Sequence, residues 1–437
     1  MLIRQPHTCE YKRKLACFKV EYILNRLKDS LRYIKTLVKW LVMASLVGGA
    51  GGIVGSVFHI GIDYVTEIRT SNGWILWLLP LGGLVIAGIY HLFKSKGALD
   101  TNRVLKAASS EEKVPLVMAP LIFVSTIITH LLGGSAGREG AALQLGGSIG
   151  YNIGRAARFD VQSTHIITMA GMSAVFAALF GTPLTAAFFS LEVTCVGIMH
   201  YAALVPCITA ALVASYIAGA FGLHPVHFDG IVLEYISIHA VGMVIIIAVL
   251  CALVSILFCA SIKKCEHVFE RFMPSRYIRA LVGGLIIVGL TLALGTRDYN
   301  GAGMDVITRA IDGSAKYEAF IIKIIFTAIT ISAGFKGGEI VPAFFIVSTF
   351  GCAVGTILGF DAGFAAAIGF VAVFCGVVNC PVASVMLAME VFGHENILIF
   401  ALVCSISYMM SGYSGLYKEQ KIAYSKLDEE EINQNTL

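Results

Sequence analysis

The sequence predicts an all-helical protein that crosses a membrane several times and is folded from two related halves. Three observations predict it. Hydrophobic residues make up 57% of the chain and charged residues 14%, against about 25% charged in a soluble domain, and the mean hydropathy is +0.80. Apolar runs long enough to enter or cross a bilayer recur along the chain. A set of short motifs also recurs at a nearly fixed spacing.

The chain opens on a basic arm, with bases scattered from Arg4 to Lys39. The first apolar run starts near Trp40, too late for a secretory signal peptide. An excess of bases beside the first apolar segment places the basic arm in the cytoplasm, and residues 20–36 read as an amphipathic helix on the membrane surface. The arm accounts for most of the net charge of +4. Membrane orientation therefore explains the bases without nucleic-acid binding.

Apolar runs follow at Trp74–Phe93, Val114–Leu132, Ala202–Phe221, Ile238–Ala260, Leu281–Leu294, Phe320–Ser332 and Ile397–Met410. Some are short or carry Gly and Pro, which predicts half-length or re-entrant helices. The 11 cysteines are scattered singly, mostly within such runs. That pattern supports neither a disulfide framework nor a metal site.

Ala174-Val175-Phe176 recurs as Ala372-Val373-Phe374, Pro183 as Pro381, and Glu192-Val193 as Glu390-Val391. All three pairs are 198 apart (372 − 174 = 198). Ser135-Ala136-Gly137 recurs as Ser332-Ala333-Gly334 at nearly the same separation. The expected organisation is a basic segment at 1–32, a first half at 33–228, a second half at 229–425 and a tail at 426–437. Similarity alone leaves open whether the halves are parallel or inverted.

Two glycine-rich, charged breaks interrupt the apolar pattern: Gly134-Ser135-Ala136-Gly137-Arg138-Glu139-Gly140 and Gly334-Phe335-Lys336-Gly337-Gly338-Glu339-Ile340-Val341-Pro342. Irregular backbone survives at membrane depth only where it is buried in protein or lines a polar cavity. Paired breaks in two halves suggest a transport site built from facing helix ends. Glu139 stands at the expected start of a helix, where unpaired N–H groups attract anions. A mobile carboxylate there can occupy the anion's place and leave on protonation. Glu339 is a second carboxylate at the equivalent helix start, and Pro342 suits a first helical turn.

Glu192 and Glu390 each lie nine residues beyond a proline, which suggests backbone hydrogen bonding where the halves meet. His130 reads as a satisfied packing residue. Gly49-Ala50-Gly51-Gly52-Ile53-Val54-Gly55 resembles a dinucleotide fingerprint but sits in an apolar helix, so close helix packing is the better reading. HExxH is absent from the sequence, and no enzymatic activity is expected.

These residues resemble the CLC family of chloride channels and anion/proton antiporters, from about residue 33 to 425. Gly137-Arg138-Glu139-Gly140 with Gln144 and Gly146-Gly147 is similar to the family's gating-glutamate signature. Gly337-Gly338 with Pro342 resembles its second anion-site signature, with Ile340 and Val341 offering backbone N–H groups, and Tyr417 resembles its anion-contacting tyrosine. The resemblance implies an inverted repeat of broken helices, a homodimer, and one halide pathway per subunit. Glu139 and Glu339 are the gating and proton candidates. Arg138, Gly140, Ala141, Ile340, Val341, Tyr417 and Thr101 are the anion-binding candidates. No cofactor or metal is implied beyond the transported halide and protons.

The family's usual serine signature is missing, and Thr101 is its proposed substitute. The Gly-Gly-Glu pattern at Glu339 and the apolar Val193 resemble the fluoride/proton antiporter branch. The expected function is fluoride/proton antiport in the plasma membrane of a prokaryote, with both termini cytoplasmic. A passive chloride channel or a chloride/proton antiporter is the alternative.

Overall fold

The structure, a computed structural model, describes residues 7–93, 99–233 and 237–436. It contains two compact units, Met1–Met43 and Ala44–Leu437. The described elements run in the order α1 (His7–Ser71), α2 (Leu79–Leu92), α3 (Thr101–Ser109), α4 (Met118–Leu132), α5 (Glu139–Ala156), α6 (Val161–Phe180), α7 (Pro183–Glu192), β1 (Cys195–Val196) and α8 (Leu204–Ala220). They continue with α9 (Ile238–Phe272), α10 (Arg276–Leu294), α11 (Met304–Ile311), α12 (Ala319–Ser332), α13 (Ile340–Leu358), α14 (Ala362–Val378), α15 (Pro381–Phe392), α16 (Ile397–Met410), β2 (Lys421–Tyr424) and β3 (Glu431–Asn435). Seven helical stretches among the described residues are long and apolar enough to cross a membrane. Five further apolar helices, α4, α12 and α14–α16, are shorter.

One expectation needs correction. The segment at 20–36 is not a separate helix but part of α1, because no glycine or proline interrupts residues 7–47. The fold is nearly all helical, as expected, with one small three-stranded sheet among the described residues. Strand β1 pairs in parallel with β2, and β2 pairs antiparallel with β3. The tail thus returns to the end of α7.

The halves correspond element by element. N-cap residues Asp160 of α6 and Asp361 of α14 both accept a backbone N–H three residues on, from Ser163 and Phe364. They are 201 apart (361 − 160 = 201). Pro183 and Pro381, which open α7 and α15, are 198 apart. The change arises because α6 has 20 residues and α14 has 17. Equivalent positions are therefore 201 apart up to the start of this helix pair and 198 apart from Gly171 and Gly369 within it onward.

This register overturns one expected pairing. Gly133 and Gly334, 201 apart, are the equivalent left-handed glycines after α4 and α12, with φ of 88° and 95°. The two Ser-Ala-Gly tripeptides therefore occupy different places in their breaks. Likewise, Glu139 is the first residue of α5, whereas Glu339 is the N-cap of α13. The positional mate of Glu339 is Arg138, and that of Glu139 is Ile340.

The repeat is inverted, as the carboxylates at the ends of α7 and α15 show. Glu192 accepts N–H bonds from Val382 (3.3 Å) and Ala383 (2.8 Å) at the start of α15. Glu390 accepts from the Leu184 N–H (2.9 Å), the Thr185 N–H (2.8 Å) and the Thr185 hydroxyl (2.6 Å) at the start of α7. Each helix caps the other's N-terminus from its own C-terminal end, which requires the two helices to run antiparallel. Anions at helix N-termini are stabilising.

Three of the four glycines of the loose fingerprint, Gly51, Gly52 and Gly55, serve close packing, as expected. A Cβ at Gly51 would lie 2.8 Å from the Ala174 Cβ on α6, and one at Gly52 would lie 2.9 Å from the Ala214 Cα on α8. On α5, a Cβ at Gly146 would lie 2.2 Å from the Gly171 carbonyl of α6.

Candidate anion site

The two breaks meet. After the left-handed turns at Gly133 and Gly334, the segments run past each other, and Gly137 and Gly338 form an antiparallel bridge. Gly137 N–H donates to the Gly338 carbonyl and Gly338 N–H to the Gly137 carbonyl, each at 2.7 Å. These bonds satisfy backbone groups that would otherwise be unpaired at membrane depth.

Threonines brace the pair from either side. Ser135 N–H donates to Thr330 Oγ1 at 3.1 Å, and Lys336 N–H donates to Thr129 Oγ1 at 3.2 Å. Both donors and both acceptors are repeat mates in the 201-residue register. His130 Nε2 donates to the Gly137 carbonyl at 3.2 Å, so this buried histidine is satisfied and holds the first break. Asn300 Nδ2 donates to the Gly133 carbonyl at 3.0 Å, and Lys323 Nζ holds the neighbouring loop through the Tyr299 and Gly301 carbonyls.

The bridge brings the starts of α5 and α13 together. Glu139 is fully buried. Its Oε2 accepts the Arg138 N–H at 3.0 Å and the Val341 N–H at 3.3 Å. Its Oε1 is buried without a hydrogen-bond partner. The Glu139 carboxylate therefore occupies an N–H of the opposite half, where an anion would dock. Gly140 and Ala141, and likewise Ile340, lie in the first turns of these helices, whose leading N–H groups have no partner within the helix.

Arg138 contributes its backbone N–H, but its guanidinium turns away. Nη1 lies 3.5 Å from Asp63 Oδ1, and Nη2 donates to the Leu179 carbonyl at 3.4 Å. Asp63 is also bound by His59 Nε2 at 3.2 Å. Thr101 lies at the site, but its hydroxyl is engaged. It donates to the Gly140 carbonyl at 3.4 Å and accepts from Gln144 Nε2 at 3.1 Å. Gln144 is the site residue that the candidate set omitted; its Oε1 is buried without a partner.

A cavity of about 910 Å³ leads to this point, lined by Thr101, Gln144, Lys336, Glu339 and Tyr417 among others. Tyr417 is buried, and its hydroxyl has no hydrogen-bond partner. Glu339 is half-buried at the cavity wall, with its Oε2 3.5 Å from where a Cβ on Gly140 would lie. Val193 is fully buried at the end of α7.

Protonation of Glu139 would remove the charge that holds its Oε2 on the Val341 N–H, since charge-assisted bonds are about twice as strong as neutral ones. The same N–H would then be available to an anion. This exchange of carboxylate for anion is the chemistry that the arrangement supports.

Known proteins share the sequence and the fold. The profile of the voltage gated chloride channel family matches residues 82–412. A chloride/fluoride channel protein of Pseudomonas syringae pv. tomato is 34% identical over 410 residues, covering 92% of this chain and 90% of that protein. An H(+)/Cl(-) exchange transporter of Vibrio cholerae is 24% identical over 439 residues, covering 89% of this chain and 90% of that one. The crystal structure of a CLC-type fluoride/proton antiporter superposes with a TM-score of 0.84 at 29% identity, covering 88% of this chain and 98% of the other. A slow cyanobacterial Cl−/H+ antiporter superposes with a TM-score of 0.71 at 19% identity, covering 85% and 94%. Together with the paired helix breaks, the family match over most of the chain establishes that this protein belongs to the voltage gated chloride channel family, CLC.

Proposed function

We propose that the protein exchanges fluoride for protons across the membrane, with Glu139 as the moving gate. The observation that carries this reading is Glu139 Oε2 on the Val341 N–H, with the second carboxylate, Glu339, facing the cavity beside it. A protonated Glu139 releases the N–H, and fluoride enters from the cavity. Glu339, when protonated, donates a hydrogen bond to fluoride, a strong acceptor, and Tyr417 offers a second O–H. Return of Glu139 as a carboxylate expels the anion and delivers its proton to the other side.

The names of the chloride/fluoride channel protein and of the fluoride/proton antiporter favour fluoride as the ion. The apolar Val193 is compatible with this scheme and also with a passive chloride channel. A homodimer in a prokaryotic plasma membrane, with both termini cytoplasmic, completes the proposal.

The test is efflux from proteoliposomes with a pH probe inside. Fluoride release accompanied by proton uptake supports antiport. Equal chloride release without proton movement supports the channel instead.

A further inference from the structure

The residues after α16 form a clamp around Tyr417. The Thr436 hydroxyl donates to the Tyr417 carbonyl at 2.5 Å, and Gln420 N–H donates to the same carbonyl at 3.0 Å. Thr436 N–H closes the loop by donating to the Gln420 carbonyl at 3.1 Å. Gln420 is fully buried. Its Nε2 donates to the Val193 carbonyl (3.1 Å) and the Val378 carbonyl (2.7 Å), and its Oε1 accepts from Asn379 Nδ2 (3.1 Å). One side chain thus ties the ends of α7 and α14 to the tail.

Lys426 adds a second tie. Its Nζ donates to Asn379 Oδ1 at 2.6 Å, to the Tyr408 carbonyl at 3.0 Å and to Ser411 Oγ at 3.0 Å. Space is also made for the clamp: a Cβ at Gly415 would lie 3.1 Å from Thr436 Cγ2. Every residue of β3 is exposed or half-exposed, whereas Thr436 just beyond it is buried. Apolar burial therefore does not explain why β3 folds back. The bond from Thr436 to Tyr417 gives the strand a task.

We propose that Thr436 is a positioning residue for transport: through the Tyr417 carbonyl it fixes where the Tyr417 hydroxyl stands in the anion path. The proposal rests on the reading that this hydroxyl serves the transported anion. A clamp of this kind acts on how the anion is held and on which halide is preferred, not on whether the chain folds.

The experiment uses the full chain in proteoliposomes, comparing wild type, Thr436→Val, Thr436→Ser, Tyr417→Phe and the Thr436→Val/Tyr417→Phe double variant. Initial fluoride and chloride fluxes are recorded against concentration, with melting temperature as a folding control. Thr436→Val should raise the Michaelis constant for fluoride about fivefold, the size of one net hydrogen bond, and narrow the preference for fluoride over chloride. Thr436→Ser should restore both. The double variant should match Tyr417→Phe alone, because the two residues act as a unit. If Thr436→Val does not survive purification, Thr436→Ala takes its place with the same outcomes. Wild-type constants in Thr436→Val, or losses that multiply in the double variant, would overturn the proposal. If wild type moves chloride but not fluoride, the fluoride reading fails, and the same cycle is then read on chloride.

Discussion

Gly137 and Gly338 exchange two backbone hydrogen bonds of 2.7 Å, and this bridge holds the two helix starts of the anion site face to face. A Cβ at Gly338 would lie 2.5 Å from Gly140 N and 2.9 Å from Glu139 N. Both are backbone atoms that cannot swing aside. Overpacking of this kind costs about 1–3 kcal/mol. Gly338→Ala should therefore lower halide flux at least about fivefold, by the equivalence of about 1.4 kcal/mol to a factor of ten. Gly49→Ala, with nothing within 4 Å of its Cβ, should leave flux unchanged. Proteoliposome flux on both variants checks the pair, and a fully active Gly338→Ala would show that the close approach is dispensable.

Glu139→Gln keeps the shape of the gate but cannot carry charge. Proton uptake should vanish while halide flux persists, since a neutral amide holds the Val341 N–H less strongly than a carboxylate does. Parallel recording of halide and pH checks it. Persistent coupling would remove Glu139 from the proton path.

Glu339 lines the cavity at the N-cap of α13, across from Gly140. Glu339→Gln retains an N–H donor but abolishes proton exchange, and Glu339→Ala removes both. Fluoride flux should fall strongly in Glu339→Ala, while chloride flux, which gains less from a donated hydrogen bond, should change less. Equal losses for both halides would assign Glu339 a purely structural role.

The reciprocal caps formed by Glu192 and Glu390 predict similar losses of stability from either side. Replacing an N-cap acceptor by alanine typically costs about 0.5–2 kcal/mol. Glu390→Ala strands the Leu184 and Thr185 N–H groups, and Glu192→Ala strands those of Val382 and Ala383. Both variants should melt at lower temperature in detergent yet keep proton coupling. A loss of coupling at unchanged stability would contradict the capping role.

Lys426 provides a pH signature outside the spanning helices. Burial pushes its ammonium down to about 8, below the ordinary lysine value of about 10.4. Between these values the unfolded chain binds more protons than the folded one, so this residue makes stability rise with pH across that window. Lys426→Met should flatten the rise, as measured by melting temperature at pH 7.5 and 9.5. An unaltered slope would mean that another group sets it.

Much of the site was legible in the sequence because expensive features stand out against apolar surroundings. Glycines and charges at 134–140 and 334–342 marked the breaks; in the structure Glu139 meets the Val341 N–H, and Tyr417 lines the cavity with Glu339. The partners across the bridge were not legible, since pairing between segments about 200 residues apart leaves no local pattern. The Ser-Ala-Gly tripeptides misled because identity is weaker evidence of equivalence than conformation. Gly133 and Gly334 share a left-handed φ, and that sets the true register and makes Glu339 the mate of Arg138. The shorter α14 hid the change from 201 to 198. Strands β2 and β3 escaped notice because they are too short to show a clear period, and β2 forms by pairing with distant β1 and then carries β3. For Glu192 and Glu390 the residues were visible and the role foreseen, but which helix start each one caps was not.

The most direct test of the central claim is simultaneous halide and proton flux in proteoliposomes loaded separately with fluoride and with chloride. The account predicts fast fluoride efflux with stoichiometric proton uptake, slower chloride efflux, and loss of the proton signal in Glu139→Gln. Chloride efflux as fast as fluoride efflux, with no proton movement in the wild-type protein, would contradict it.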